Sequence, residues 1–270
     1  MLSISVITPS YQQGVFIERT IESVLNQKNI KEYFVMDGGS TDNTVEILRK
    51  YDKIHGNLHW ISEKDNGQAH AVNKGLKRAT GDIIGWLNSD DIYYPEAFST
   101  VLAFFEAHPE IDIIYGDANH IDAQDNIMEA YPTESWDVER LKSTCFICQP
   151  AVFFRRTLME QYGLLDEKLQ YCMDYEYWLR LALADVKMAH LPFVLAGSRL
   201  HSDTKTLSQS IAANKETNDM LKQKLHHVPE TWIRHYAHVC VHNGHVSKKP
   251  SLYQWCKGAL ITYYAFWRWR

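Results

Sequence analysis

The sequence predicts an α/β fold, a mostly parallel central sheet flanked by helices, on three observations. Short runs of β-forming residues recur, the segments between them carry helical spacing of apolar residues, and polar residues follow each run. The first strand is Ile4-Ser5-Val6-Ile7-Thr8, and Phe16, Ile17, Ile21, Val24 and Leu25 mark one face of the helix after it. Tyr33-Phe34-Val35-Met36 is the second strand, with Val45, Ile47 and Leu48 opening the second helix. Leu58-His59-Trp60-Ile61 is the third strand, and Ala69, Val72, Leu76 and Ala79 give a third helix. Ile83-Ile84-Gly85-Trp86-Leu87 is a fourth, apolar strand, followed by the start of a helix at Glu96-Ala97-Phe98. Ile113-Ile114-Tyr115 reads as a further strand closed near the same edge by Gly116-Asp117, where Asp117 is a ligand contact or a turn acid. Such alternation implies right-handed crossovers, which bring the strand ends Thr8-Pro9-Ser10-Tyr11, Asp37-Gly38-Gly39-Ser40, Ser62-Glu63-Lys64-Asp65 and Asn88-Ser89-Asp90-Asp91 to one edge.

The sharpest chemical signal on that edge is the pair Asp90-Asp91, at the carboxyl end of an apolar strand, where open α/β sheets hold their ligands. Adjacent carboxylates repel unless a hard divalent cation, Mg²⁺ or Mn²⁺, neutralises them and bridges to the oxygens of a phosphorylated substrate. The alternative is a solvated turn or a cap ahead of Glu96-Ala97-Phe98. The glycines form no G-x-G-x-x-G after the first strand and no G-x-x-x-x-G-K-[ST] anywhere, which disfavours dinucleotide enzymes and P-loop nucleotidases.

Ile4-Ser5-Val6-Ile7-Thr8-Pro9-Ser10-Tyr11, Thr20-Ile21-Glu22-Ser23-Val24-Leu25-Asn26-Gln27, Asp37-Gly38-Gly39-Ser40-Thr41-Asp42-Asn43-Thr44, Asp65-Asn66-Gly67-Gln68-Ala69, Asn73-Lys74-Gly75 and Asn88-Ser89-Asp90-Asp91 follow one another in order. The series closely resembles the family 2 glycosyltransferases, in register over about residues 3 to 208, and implies their A-type nucleotide-sugar-binding fold. The resemblance places Thr8, Pro9 and Tyr11 in a wall of the nucleotide site, with Tyr11 offering a flat face to the base, though plain packing suits it equally. It makes Asp37 the acid that accepts a hydrogen bond from the base; as a residue before Gly38-Gly39, it also reads as a turn aspartate. Asp65 falls near the ribose or base edge, beside the turn signal Asn66-Gly67. Asn73 and Lys74 lie on the following helix, where Lys74 approaches the diphosphate or is a solvated charge. Asp91 is implied as the direct metal ligand, with Asp90 nearer the sugar hydroxyls and ribose.

On the acceptor side, Met173-Asp174-Tyr175-Glu176-Tyr177-Trp178-Leu179-Arg180 resembles the family's acidic motif before an amphipathic helix, with Asp174 at the position of the catalytic base. The acid that usually precedes it is Met173 here, which makes Glu176 a reserve candidate; Asp174 is also placed to be a helix N-cap. Arg199-Leu200-His201, with Leu207-Ser208, resembles a segment that folds over the donor, where His201 ligates the cation or is an ordinary polar residue. Cys148-Gln149-Pro150 resembles the acceptor-side strand, with Gln149 contacting sugar hydroxyls.

The chain has 270 residues and a formal net charge of -5, so no global basic field points to nucleic acid. Its five cysteines form no closed disulfide framework, and Cys145-x-x-Cys148 lacks partners at zinc spacing, as expected in a reducing cytosol. The amino terminus reads as a strand and not a signal peptide, and no apolar run is long enough to span a bilayer. Composition divides the chain into a catalytic domain, residues 1–205, and a helical extension, residues 206–270. From Thr231 to Arg270 there is no Asp or Glu, while Arg234, Lys248, Lys249, Lys257, Arg268 and Arg270 alternate with aromatic residues including Trp232, Tyr253, Trp255 and Trp267. That pattern fits peripheral attachment to the cytoplasmic face of an anionic membrane, or a helical pair packed on the protein or in a homodimer. His235, His238, His242 and His245 recur at helical spacing, but Gly244 interrupts them and no acidic partners accompany them.

The expectation is a metal-dependent inverting glycosyltransferase that moves a sugar from a nucleotide diphosphate donor, UDP-sugar favoured, to a glycan acceptor. A lipid-linked acceptor in bacterial O-antigen, capsule or exopolysaccharide synthesis suits the carboxyl-terminal pattern. The alternatives are a nucleotidyltransferase, which would attack the α-phosphate, and a non-catalytic nucleotide-sugar or carbohydrate-binding module.

Overall fold

Seven consecutive buried residues, Ile4–Ser10, form β1 at the centre of the parallel half of a nine-stranded sheet. The computed structural model describes residues 2–201, 209–242 and 252–269, without the side chains of 242 and 252–256. The expected Leu207-Ser208 contact, His245, Lys248, Lys249 and Arg270 lie outside the described residues, as do the side chains of His242, Tyr253 and Trp255.

The chain alternates as the apolar spacing demands. It runs β1, α1 (Ile17–Leu25), β2 (Ile30–Asp37), α2 (Thr44–Asp52), β3 (Leu58–Ser62), α3 (Gln68–Leu76), β4 (Ile83–Trp86), β5 (Ile92–Tyr93) and α4 (Ala97–Ala107). It continues through β6 (Ile113–Ile121), β7 (Ile127–Ala130), α5 (Val138–Ser143), a 3-10 turn at Gln149–Ala151, β8 (Val152–Arg155), α6 (Thr157–Tyr162), α7 (Met173–Leu183) and β9 (Met188–Arg199). Three helices follow: α8 (Ser210–Leu225), α9 (Glu230–His242) and α10 (Leu252–Trp269).

The strand order is β3-β2-β1-β4-β8-β6-β9-β5, with β7 added on β6. β3, β2, β1 and β4 are mutually parallel, so Ser10 sits beside Asp37 and Asp37 beside Ser62, which aligns the polar strand ends on one edge. Beyond β4 the sheet becomes mixed, because β8 runs antiparallel to both β4 and β6. The expected strand end at Gly116-Asp117 is corrected: β6 continues to Ile121, and the register shifts at these two residues where β6 pairs with β9. Gly116 marks an irregularity, since a Cβ there would lie 2.5 Å from the Leu195 side chain and 2.8 Å from the Phe193 carbonyl. Asp117 therefore sits within a strand, with His190 Nε2 2.8 Å from its Oδ1.

The chain divides into two compact units. The first contains residues 1–136, 146–167 and 184–200, and so the entire sheet; the second gathers 137–145, 168–183 and 201–270. The expected contiguous boundary at residue 205 becomes an interleaved one, with α5 and α7 belonging to the second unit. Within the first unit Tyr93, Phe98 and Phe153 meet with ring centroids 5.1 to 5.8 Å apart, and Phe98 is fully buried. Phe98→Ala should cost about 3–5 kcal/mol, from lost transfer energy and a residual cavity, measured as the loss of unfolding free energy in urea.

Candidate active site

After β4 the chain leaves the sheet through Asn88-Ser89-Asp90-Asp91, and main-chain bonds fix that turn. Leu87 N–H donates to the Ile7 carbonyl at 3.0 Å, and Asp91 N–H to the Asn88 carbonyl at 3.1 Å. Thr20 Oγ1, on the buried face of α1, lies 2.9 Å from the Ser89 carbonyl and 2.8 Å from the Asp91 carbonyl. Arg199, at the end of β9, holds the turn twice. Its N–H donates to Asp91 Oδ1 at 2.8 Å and its Nε to the Asp90 carbonyl at 2.6 Å. Nη1 of its buried guanidinium donates to the Asp122 carbonyl at 2.7 Å and pairs with the Asp125 carboxylate, and the group lies 5.0 Å from the Phe16 ring centre.

The two acids are not equivalent. Asp91 is buried, and Asp90 is partly exposed. Burial, and then the charge of Asp90, push the Asp91 carboxyl well above the usual carboxylate range, against the hydrogen bonds from Arg199 and Asn88. Arg199 does not cancel this charge pair, because its side chain is directed to carbonyls and to Asp125. A pair of adjacent hard oxygen donors fits Mg²⁺ or Mn²⁺, which commonly bind through one or two carboxylates, phosphate oxygens and water. Among the described residues no group of three or more His, Cys, Asp or Glu side chains forms a metal site by itself.

Asn88 links the acids to the neighbouring loops. Its Oδ1 accepts from Gln68 Nε2 at 2.8 Å and Trp86 Nε1 at 3.1 Å, and its Nδ2 donates to Gln149 Oε1 at 2.9 Å and to Asp91 Oδ2 at 3.3 Å. Gln149 also donates from Nε2 to the Trp86 carbonyl at 2.6 Å. This revises its expected role: it is buried, both ends of its amide are engaged, and it positions Asn88 where a sugar contact was anticipated.

The other strand ends converge. Thr8 is buried, with its Oγ1 accepting from Tyr33 OH at 3.0 Å, and Pro9 is buried beside Met36. Tyr11 is exposed, and Asp65 is partly buried; both flank Gly38, where a Cβ would lie 2.8 Å from Asp65 Oδ2 and 3.3 Å from the Tyr11 ring. Asp65 Oδ1 accepts from Gly67 N–H at 2.9 Å, and Gly67 has φ 113°, a conformation that costs other residues strain. Asp37 takes the turn role. It is buried, its Oδ2 accepts from the Gly39 and Ser40 N–H groups and Ser62 Oγ at 3.1, 2.8 and 2.6 Å, and its Oδ1 accepts from Ser40 Oγ at 2.5 Å. Lys74 pairs with Glu63 Oε1 at 2.6 Å with little of its side chain exposed, so it is neither a solvated charge nor aimed only at a ligand. Asn73 clamps the segment leading out of the first unit, donating to the Leu165 carbonyl and Glu167 Oε1 and accepting from Leu165 N–H.

In the second unit, α7 begins at Met173, so Asp174 lies inside its first turn and the expected N-cap assignment is overturned. Tyr175 N–H donates to Asp174 Oδ1 at 2.7 Å, yet burial still pushes this carboxyl up to about 6. The chain before α7 is fixed by Glu216 of α8, which accepts from the N–H groups of Gln170, Tyr171 and Cys172 at 2.9, 2.7 and 3.0 Å. Glu176 does not serve as a reserve base: it is buried and neutralised by Arg180 at 2.9 Å and Lys224 at 2.6 Å. His201 is partly buried at the last described position before residue 209. Spacing and motifs in the sequence point to no role for Thr20, Gln68 or Asn88, and Arg199 stands out there only within Arg199-Leu200-His201. Replacing Arg199 by Met roughly keeps the volume and leaves Asp125 its second partner, Arg19 at 3.0 Å, but leaves the Asp90 and Asp122 carbonyls without their donor and releases the turn, so it should destabilise the fold by about 1–3 kcal/mol in urea unfolding.

Known proteins share this fold. The chain matches the family described as "Glycosyl transferase family 2" over residues 5–163. It is 29% identical to chondroitin synthase of Escherichia coli over 181 residues, covering 66% of this chain and 26% of that much longer protein. The structure of S. aureus TarS 1-349 in complex with UDP-GlcNAc superposes with a TM-score of 0.67 at 18% identity, covering 98% of this chain and 82% of that one. The mannosyltransferase PcManGT from Pyrobaculum calidifontis, in complex with GDP-Man and Mn2+, gives a TM-score of 0.66 at 16% identity, covering 96% and 74%. With the nucleotide-sugar fold built around β1–β4 and the family match running through it, the chain is a member of glycosyl transferase family 2.

Proposed function

We propose that the protein is an inverting, cation-dependent glycosyltransferase that uses a UDP-sugar and delivers the sugar to a lipid-linked glycan during bacterial surface polysaccharide synthesis, at the cytoplasmic face of the membrane. The observation that carries this reading is the Asp90-Asp91 turn, a pair of carboxylates held at the end of β4 by Arg199, Thr20 and Asn88 in a family 2 fold. TarS bound to UDP-GlcNAc supports UDP as the nucleotide, and the chondroitin synthase relative supports a polysaccharide product.

Asp90 and Asp91 would hold the cation, which when bound supplies charge to stabilise the departing diphosphate. Asp91 is the direct ligand of that cation, and Asp90, partly exposed, lies nearer the sugar hydroxyls and ribose. Tyr11 offers its exposed ring to the base, Asp65 faces the ribose or base edge, and Asp37 shapes the loop that carries Gly38 between them. Thr8 and Pro9 are the wall beneath, and Lys74, set by Glu63, lies toward the diphosphate; His201 is a further candidate ligand. In the reaction, the acceptor oxygen forms a bond to C1 of the sugar as the bond from C1 to the diphosphate oxygen breaks. The bonding pair leaves with the nucleotide, the acceptor proton passes to Asp174, and attack opposite the leaving group inverts C1.

A base titrating near 6 is half ionised just below neutrality, which suits proton abstraction at pH 7. The raised carboxyl has a second consequence. Asp174 contributes stability fully while protonated, below the unfolded value of about 3.9, and that contribution is lost as pH rises through about 6. Activity and this component of stability therefore run in opposite directions.

The test is a panel of nucleotide sugars with Mn²⁺ and glycan acceptors, following nucleotide release and product anomer. Release from a UDP-sugar should rise with pH through about 6. Asp174→Asn should lower kcat by about a hundredfold to ten-thousandfold while leaving donor binding intact. Retained activity in Asp174→Asn, or a product of unchanged anomeric configuration, contradicts the proposed chemistry.

A further inference from the structure

Helix α10 presents two unlike faces. One is packed within the second unit: Ala265 and Trp269 are buried, Trp269 Nε1 donates to Asp219 Oδ1 at 2.7 Å, and its ring meets Tyr236 edge-on at 4.9 Å. The other carries Leu260, Tyr263, Tyr264 and Trp267, at spacings of three and four residues that align them in one stripe. These four are 61%, 59%, 66% and 76% exposed. Tyr263 touches Tyr264 and Trp267, with ring centroids 6.0 and 6.3 Å apart, so the rings form one patch. Scattered exposed apolar residues are ordinary on a protein surface, but a contiguous aromatic stripe marks an interaction site.

The charge of the segment that carries the stripe selects the partner. From Thr231 to Arg270 the chain has no Asp or Glu and has Arg234, Lys248, Lys249, Lys257, Arg268 and Arg270, although the whole chain is net negative. Tyr and Trp, amphipathic rings with a polar tip, prefer the headgroup level of a bilayer, and cations beside them meet lipid phosphates. No helix among the described residues is long and apolar enough to cross a membrane, which leaves docking on its surface.

We propose that the Leu260–Tyr263–Tyr264–Trp267 face of α10 docks on an anionic lipid surface. The aromatic rings sit among the headgroups with Lys257, on the same stripe, beside the phosphates, while Arg268 also pairs with Asp219 at 3.5 Å. This deepens the reading of a lipid-linked acceptor, because docking holds the enzyme on the surface that carries it.

The full chain is mixed with vesicles of phosphatidylcholine alone, or of phosphatidylcholine with phosphatidylglycerol, and sedimented. It should bind the anionic vesicles, more weakly in high salt, and the phosphatidylcholine vesicles poorly. The triple variant Tyr263→Ser, Tyr264→Ser, Trp267→Ser should keep the wild-type circular dichroism and its nucleotide release with a soluble acceptor, while binding anionic vesicles at least about tenfold more weakly. A second variant, Lys257→Glu, should weaken anionic binding while leaving the stripe intact. Equal vesicle binding by the folded triple variant and wild type overturns the proposal, as does failure of wild type to bind anionic vesicles. So does a dimer in sedimentation velocity that the triple variant abolishes, which would assign the stripe to a second copy. Vesicle binding without turnover of any nucleotide sugar would instead refute the proposed reaction and leave the docking face standing.

Discussion

Two adjacent carboxylates at the end of a strand are a problem in electrostatics, and the contacts of Arg199 are the main part of the fold's answer. Its main-chain N–H meets the Asp91 carboxylate, its Nε meets the Asp90 carbonyl, and its Nη1 reaches Asp122 and Asp125. The guanidinium thus fixes the position of the acidic turn without discharging it. Asp91 stays in an environment that disfavours its ionised form, which a bound cation would relieve. A lysine could not replace this residue, since one point charge cannot reach two carbonyls and a carboxylate in a fixed fork.

The same logic extends along the edge. Parallel pairing of β1, β2, β3 and β4 brings four loops side by side, and each is tied by side-chain bonds to the next. Gln12 Oε1 accepts from the Thr41 and Asp42 N–H groups, Asp37 joins the ends of β2 and β3, and Gln68, Asn88 and Gln149 link α3, the acidic turn and the turn before β8. The exposed elements, Tyr11 and part of Asp65 and Asp90, are held from behind by buried ones. Preorganised polar groups of this kind need little rearrangement when a charged ligand arrives.

Much of this was legible in the sequence. Strands β1 to β4 and the helices between them follow from periodicity, and the polar strand ends follow from topology once right-handed crossovers are assumed. What escaped depends on pairings between distant residues. β9 contains Pro192 and alternates poorly, and it enters the sheet across a register shift that skips Pro192 and Phe193. The ligand-like residues Gln149, Asp37 and Glu176 carry the right chemistry, but burial and internal partners decide how each is used. A linear reading also divides the chain at one point, whereas α5 and α7 join the carboxyl-terminal helices.

The central claim is that the Asp90-Asp91 turn receives a cation together with the diphosphate of the donor. Anomalous diffraction from crystals grown with Mn²⁺ and UDP measures this directly. The account predicts a manganese peak coordinated by the carboxylate of Asp90 or Asp91 and by UDP phosphate oxygens. UDP bound on this edge with manganese absent from the two acids, or seated elsewhere on the protein, would contradict it.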